Sequence, residues 1–459
     1  MSEGIENDND IRTALRWFAQ VSGDAAGFSR RLQLAQHTYM RLTEDPSNLG
    51  RDLDLGAFGP DMVGSFLAQA KSLLDSRRSY DFALASRCVP WVKQIGVNVG
   101  VLGKLPGASD RARRMLLDQS TEPDGALFEL AMAGNYAADG ENVAFVEEQP
   151  GVARTPDLRL FLEDRPDTVA IEFKRLRRGQ YEAQERDLQR RIFERAAALI
   201  DERCLSLHID VNYTVELRSI PEAYLVDWLQ RFLSSPILTL GHYPWSDEFG
   251  SGEIRPANVD AVLKDIRNSS LYFGTKLARL LAGGQVRENN YQLAAGLKSD
   301  DRDPRYFEDF RYGSVVTWQC TAPQAIERKA RHIKSKLVEA ARQVKSESVG
   351  VIHLAMDVEI GCESSDLRRQ RNKEIILEFR AESPVAALYV HYLVPRISEM
   401  HSWIVDETVD RFGIGNDPVP SMMIFPGSAP IDNNLPAWKQ SLAVPSPLGS
   451  SSSHPHEDS

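Results

Sequence analysis

The chain has only four cysteines in 459 residues, Cys88, Cys204, Cys320 and Cys362. They are scattered too widely for a zinc knuckle or a disulfide framework. No apolar run approaches the roughly 18 residues of a membrane span. The opening segment MSEGIENDND is acidic and lacks the apolar region of a signal peptide. These absences predict a chain that stays in a reducing cytoplasm and meets no membrane. No GxxxxGK[ST] phosphate loop occurs, so no nucleotide motor is visible. There is no internal repeat, no serine–histidine–aspartate order and no zinc-ligand spacing. An excess of positive charge is also missing: 54 Lys and Arg against 65 Asp and Glu give a formal net charge of −11. A phosphate-binding protein needs positive surface only where it touches its ligand. The question of a nucleic-acid partner is therefore local.

A hydrophobic content of 42% and a charged content of 26% are those of a globular protein. The length allows two or three domains or one elaborated core. Residues 1–120 read as a helical N-terminal region, with Ile11, Leu15, Phe18 and Val21 at helical spacing. Met62, Phe66, Ala70, Leu73 and Leu74 keep the same spacing. The apolar, glycine-rich stretch from Cys88 to Gly103 reads as a packed connection. Asp124 is placed to cap a helix running to Gly134. Glu129 sits in that helix among Leu127, Phe128, Leu130 and Met132.

The most informative stretch is TPDLRLFLEDRPDTVAIEFKRLRR, Thr155 to Arg178. Leu158, Leu160 and Leu162 alternate with Arg159, Phe161 and Glu163, the period-2 signature of a strand. After a breaker-rich turn, Val169, Ile171 and Phe173 form one face, and Ala170, Glu172 and Lys174 the other. Directly paired residues share a face, so Leu160 should pair with Val169 and Leu158 with Ile171. That register sets Asp157 opposite Glu172, with Lys174 diagonal to it. Two carboxylates and an ammonium then converge at one end of the hairpin. Such oxygens suit a hard cation such as Mg²⁺, and the lysine can orient a water. An ordinary surface hairpin with a solvated salt bridge is the plainer alternative.

The arrangement resembles the PD-(D/E)xK nuclease superfamily, with Asp157, Glu172 and Lys174 in the motif positions. Pro-Asp recurs at residues 60, 123 and 166, but only Pro156-Asp157 leads a strand that ends in a correctly spaced Glu-x-Lys. A helix before the hairpin and a first strand at Asn142–Glu147 fit the order the family requires. The resemblance implies a restriction-endonuclease-like α/β fold: a mixed β-sheet core flanked by helices, within residues 121–415. It implies Mg²⁺ (or Mn²⁺) held by Asp157 and Glu172 and the Phe173 carbonyl, with Glu129 as a further candidate ligand. Glu129 matches a family glutamate that reaches the metal; a simple helix-surface role is the alternative. No glutamine here has a tyrosine four residues later, so the chain departs from the recombination-nuclease branch. Large nucleases of this appearance resemble proteins of bacterial restriction and anti-phage systems, which implies DNA as partner and leaves room for a homodimer or partner proteins.

Two basic helices are candidates for backbone contact. Between Lys174 and Arg195 there are eight basic residues and four acidic ones, with Arg175, Arg177, Arg178 and Arg190 as candidate contacts. The helix with stripe Ile326, Ala330, Ile333, Leu337, Ala341 and Val344 carries Lys329, Lys334 and Lys336 on its other faces. Either helix can equally be a solvated face over a core stripe. Leu205–Tyr213, Ser270–Thr275, Gly313–Cys320, Val349–Met356 and Ala386–Val394 read as strands, and Gly241–Pro256 as loop. The later strands either extend the nuclease sheet or form a companion unit. Residues 416–459 read as a Pro/Ser-rich, partly disordered tail. The expectation is a Mg²⁺-dependent endonuclease. The alternatives are an inactive nucleic-acid-binding module and an assembly subunit on the same fold.

Overall fold

The computed structural model describes residues 8–43, 59–75, 79–80, 82–147, 155–162, 168–177, 179–235, 241–266, 276–283, 290–299, 307–345, 349–358, 362–379, 385–397, 403–413, 423–426, 436 and 438. The described residues form a mixed α/β fold with twelve α-helices and two mixed sheets.

Six helices come first: α1 (Asn9–Ser22), α2 (Ala25–Thr43), α3 (Met62–Asp75), α4 (Phe82–Leu102), α5 (Ala108–Leu117) and α6 (Asp124–Ala138). The Asp8 carboxylate caps α1 by accepting from the Asp10 and Ile11 N–H groups, an interaction worth about 1 kcal/mol. Gly23 ends that helix in the left-handed conformation, φ 74°. The glycine-rich stretch 88–103 differs from expectation: it lies in α4, with Pro90 in the helix interior. Its glycine content serves packing. A Cβ on Gly96 would stand 1.9 Å from the Asp10 carbonyl oxygen, so only glycine lets α1 lie this close.

The hairpin follows. β1 (Val143–Phe145), β2 (Leu158–Phe161) and β3 (Thr168–Leu176) pair antiparallel in sequence. Leu158 pairs with Ile171 and Leu160 with Val169, the register expected from the alternation. α7 (Gln180–Arg203) then leads away from this sheet. The strand at 205–213, β4 (Leu207–Tyr213), enters a second sheet. That sheet also holds β5 (Tyr243–Ser246) and β6 (Gly250–Pro256), reached through α8 (Tyr224–Ser234). The stretch 241–256 is therefore a hairpin and not loop; the Asp247 carboxylate closes its turn by accepting from the Phe249 and Gly250 N–H groups. After α9 (Val259–Ile266) and α10 (Lys276–Ala282) come β7 (Tyr291–Ser299) and β8 (Phe307–Cys320), giving the order β5-β6-β4-β8-β7. The strand expected at 270–275 lies outside the described residues.

α11 (Pro323–Gln343) returns the chain to the first sheet, where β9 (Val349–Asp357) pairs parallel with β3. α12 (Glu363–Glu378), β10 (Val385–Ile397) and β11 (Trp403–Gly413) complete it, in the order β1-β2-β3-β9-β10-β11. The later strands thus extend the hairpin's own sheet. The second sheet is an insertion between β3 and β9. One face of the first sheet (Leu158, Ile171, Phe173, Val351) packs on the N-terminal helices. The other (Leu176, Ile352, Leu354) packs on Ile333, Leu337 and Ala340 of α11. Part of the C-terminal tail joins these cores: Ile424 and Phe425 are buried, and so is Trp438, whose indole N–H donates to Asp366 at 3.0 Å.

Candidate active site

Strand alternation decides which β3 side chains can meet. Phe173 points to the N-terminal helices, where its ring meets Phe128 edge-on at 5.4 Å. Glu172 and Lys174 point to the opposite face, towards α11. Asp157, just before β2, is fixed by the strand beside it: its Oδ2 accepts from the Phe173 N–H at 2.9 Å. Glu172 is fully buried and forms an ion pair with Lys174. Lys174 Nζ also lies 3.7 Å from Glu339 Oε1 on α11, and Lys336 holds that glutamate at 2.8 Å. Glu129, buried in α6, pairs with Arg111 of α5.

These groups act on one another electrostatically. Burial, then the Asp157 charge, push the Glu129 carboxyl up to about 8, against the opposing pull of Arg111 and Lys174. Burial, then Asp157, raise Glu172 well above the usual carboxylate range, with Lys174 opposing and Glu129 adding to the rise. For Lys174 burial favours the neutral amine, but Glu172 and Asp157 outweigh it and raise its pKa. Lys174 is therefore an ammonium at neutral pH. The sequence-derived trio and Glu129 thus form one coupled unit of three acids and one lysine, with Arg111 as an added cation.

Two buried carboxylate oxygens of this unit accept no hydrogen bond among the described residues, Glu129 Oε2, which faces Arg111, and Glu172 Oε2. A buried carboxylate oxygen left unpaired is costly, and a cation is one remedy. The donor set consists of carboxylate oxygens, which suit Mg²⁺ or Mn²⁺. Asp157 and Glu172 fit such an ion. Glu129 is the third candidate, although Arg111 already compensates it. Among the described residues no group of three or more His, Cys, Asp or Glu side chains is gathered at metal-holding geometry. The Phe173 N–H is used by Asp157, which places the Phe173 backbone at the site's edge.

The basic candidates divide sharply. The Arg175 side chain is buried, ion-paired with Asp124 and Asp357, and lies 5.7 Å from the Trp91 ring centre. Lys329 is buried against Glu185 at 2.6 Å. Both sit in internal ion pairs, Arg175 on β3 and Lys329 on α11, which removes them as free phosphate contacts. Asp124 accordingly serves Arg175 and Arg177, while Pro123 holds the cap position of α6. Arg177 is partly exposed and also donates to the Glu122 carbonyl. Arg190 is exposed beside Glu194 and Asp187, Lys336 pairs with Glu339, and Lys334 is exposed. Arg178 lies outside the described residues.

Arg111 and Glu339 belong to the site's surroundings and are not singled out by the sequence, whereas Lys336, expected as a phosphate contact, instead holds Glu339. For Arg111 a signal existed, since an arginine on a short amphipathic helix next to a buried glutamate is its natural partner. For Glu339 there was none, because it reaches Lys174 only through the packing of α11 on β3. Comparison of the chain with protein-family models, with curated proteins and with solved structures returns no match.

Proposed function

We propose that the chain is a divalent-cation-dependent nuclease hydrolysing phosphodiester bonds, with DNA as the first substrate to offer. The observation that carries this reading is Glu172: fully buried, with one oxygen unpartnered, beside Lys174 and charge-coupled to Asp157 and Glu129. Buried acids with raised pKa values beside a lysine are an arrangement that costs stability, and such arrangements cluster where chemistry is done. The order of elements supports the same reading. A helix, α6, precedes three antiparallel strands, and β9 joins β3 in parallel across α11. The helix followed by three strands is the order that the resemblance implies, and the second sheet is interposed before β9.

Asp157, oriented by the Phe173 N–H, and Glu172, through Oε2, would hold Mg²⁺ or Mn²⁺. When bound, the ion supplies a Lewis acid for the phosphoryl oxygens and a more acidic water. Lys174, kept as an ammonium by Glu172 and Asp157, orients the attacking water and offsets the charge that grows on the phosphate. Glu339 sits at the mouth of the site and, from the solvent side, restrains the lysine. Arg111 fixes Glu129 and cancels part of its charge, so that Glu129 either adds a ligand or sets the field. A setting in anti-phage defence rests on the family resemblance alone.

An inactive nucleic-acid-binding or assembly module is favoured by the pairs Glu129–Arg111 and Lys174–Glu172, which satisfy much of the site without an ion. One experiment separates the two. Purified protein is incubated with supercoiled plasmid, linear DNA and RNA, each with Mg²⁺, Mn²⁺ or EDTA. Cleavage that requires metal and is absent in Lys174→Ala supports the nuclease. Binding without cleavage under every metal favours the inactive module.

A further inference from the structure

The carboxyl ends of β3 and β9 lie side by side, with Leu176 level with Met356. Parallel strands in α/β sheets present ligand sites at this end, where helix N-termini also gather. A cavity of about 70 Å³ opens there. One water needs ~10–15 Å³ of such space, so there is room for several waters and hence for a tetrahedral oxyanion. Two cationic side chains in its lining carry the reading, Arg177 after β3 and Arg368 from α12; Lys329 of α11 also lines it but is held by Glu185. Ser364 and Ser365, in the first turn of α12, complete the wall. That helix is 16 residues long and has no side-chain cap at its N-terminus.

Two acids also line the cavity, Glu182 and Asp357, and a ligand there would share Arg368 with Glu182 and Arg177 with Asp124. Glu182 accepts from Arg368 at 2.8 Å and from the Gly179 N–H at 2.8 Å. Asp357 accepts from Arg175. What is unsatisfied in the wall is donors. Ser364 is only 8% exposed, and its hydroxyl has no hydrogen-bond partner among the described residues. Arg368 Nε is fully buried and likewise has no acceptor. A buried donor without an acceptor costs about 1–3 kcal/mol. Arg368 Nε is such a donor, and with the Ser364 hydroxyl on the same wall it suits a ligand that only accepts, as phosphate oxygens do.

We propose that this cavity is a phosphate subsite, taking one phosphoryl group either from a nucleic-acid backbone or from a free phosphate. Arg177 is shared between this subsite and the chain leading out of β3, so a phosphate held here lies two or three residues beyond Lys174 along the same strand. The proposal does not depend on hydrolysis, because binding is read on an uncleaved ligand with no divalent metal present.

The test uses the full chain in EDTA, titrated with inorganic phosphate and followed by calorimetry and ³¹P line broadening. Saturable binding is expected, reduced about tenfold or more by Arg368→Gln and by Ser364→Asp, which sets a carboxylate in the cavity. Ser364→Ala, a change too small to threaten folding, should weaken binding severalfold; thermal melts confirm that each variant is folded. A short single-stranded DNA is then added. Displacement of bound phosphate identifies the nucleic-acid backbone as the source, and its absence identifies a free phosphate group. The proposal is overturned if the parent binds no phosphate saturably, or if Ser364→Ala and Ser364→Asp both bind it as the parent does.

Discussion

On the face of the six-stranded sheet that meets the N-terminal helices, four buried side chains form one continuous chain. Tyr136 Oη lies 2.8 Å from His353 Nε2, His353 Nδ1 lies 2.9 Å from His391 Nε2, and His391 Nδ1 lies 2.6 Å from Glu407 Oε1. Glu407 also accepts from the Ile424 and Phe425 N–H groups. As a carboxylate it can only accept, so His391 Nδ1 donates to it, His353 Nδ1 donates to His391, and the tyrosine hydroxyl donates to His353. Every polar atom of that chain is used. On the opposite face, Glu172 is equally buried, yet one of its oxygens is left over and its pKa is driven up. The same sheet thus carries one polar cluster completed from within and one that calls for something from outside. The first reads as architecture, and the second is the feature on which the proposed site rests.

The strongest way to break this contrast is through activity. Lys174→Ala should lower metal-dependent cleavage by about 10²–10⁴-fold while leaving the fold and metal binding intact. Asp157→Ala should lose activity through loss of metal, so calorimetry with Mg²⁺ or Mn²⁺ should tell the two variants apart. Cleavage by Lys174→Ala at the parent rate would make Lys174 a structural partner of Glu172 and leave the two clusters alike.

Stability sharpens the contrast next. Glu407→Ala leaves His391 and two backbone N–H groups without an acceptor, at a cost of about 3–5 kcal/mol in denaturant unfolding. Glu172→Gln removes a buried charge at constant shape. Its expected effect is no loss, or a gain on the order of 1 kcal/mol, alongside lost cleavage. Equal destabilisation by both substitutions would show that the acid cluster is as architectural as the histidine chain.

The pH dependence of stability should run in opposite directions for the two clusters. Glu129 and Glu172 have folded pKa values raised above the ordinary 4.5, Glu129 to about 8. Their contribution is complete below about 4.5 and is lost as pH climbs towards 8. His353 is held well below its ordinary 6.5 by burial and by His391. Its contribution is complete above about 6.5 and is lost as pH falls from there. Without divalent metal, melting temperature should therefore decline on both sides of mildly acidic pH. Glu129→Gln should flatten the alkaline limb only, and Mg²⁺ should raise the melting temperature at pH 8 more than at pH 5.5. An alkaline limb untouched by either change would remove the charge coupling from the argument.

How far the sequence discloses this depends on the range of the forces involved. The β2–β3 register is readable because alternation assigns each side chain a face and a one-residue slip would bury the wrong set. Glu129 stands out because a carboxylate among apolar neighbours needs a partner. The second sheet is not readable: β4 has the same local pattern whether it joins β3 or not, and β9 finds β3 only after the whole insertion. The β5–β6 hairpin is hidden by Gly250, Gly252 and Pro256, which read as loop. The histidine chain is invisible because His353, His391 and Glu407 lie on three separate strands. The fate of Arg175 is equally hidden, since its acceptor Asp357 is 182 residues away.

The same distinction between satisfied and unsatisfied charge applies at the surface, where the expected effects are smallest. Lys329 and Lys334 lie on one helix and look alike in sequence. Lys329 is buried against Glu185, whereas Lys334 is exposed and makes no ion pair among the described residues. Arg190 is also exposed, and its pairs with Asp187 and Glu194 are solvated ones worth about 0–1 kcal/mol, weak enough to yield to a phosphate. Lys334→Glu should leave the melting temperature unchanged, lower affinity for DNA severalfold, and reduce the slope of log affinity against log salt by about one. Lys329→Glu should instead lower the melting temperature, because it puts a second carboxylate beside buried Glu185. A salt slope unchanged in Lys334→Glu and in Arg190→Glu would place the nucleic-acid path elsewhere. The cavity at the ends of β3 and β9, with Arg177 and Arg368, would then be the next place to look for it.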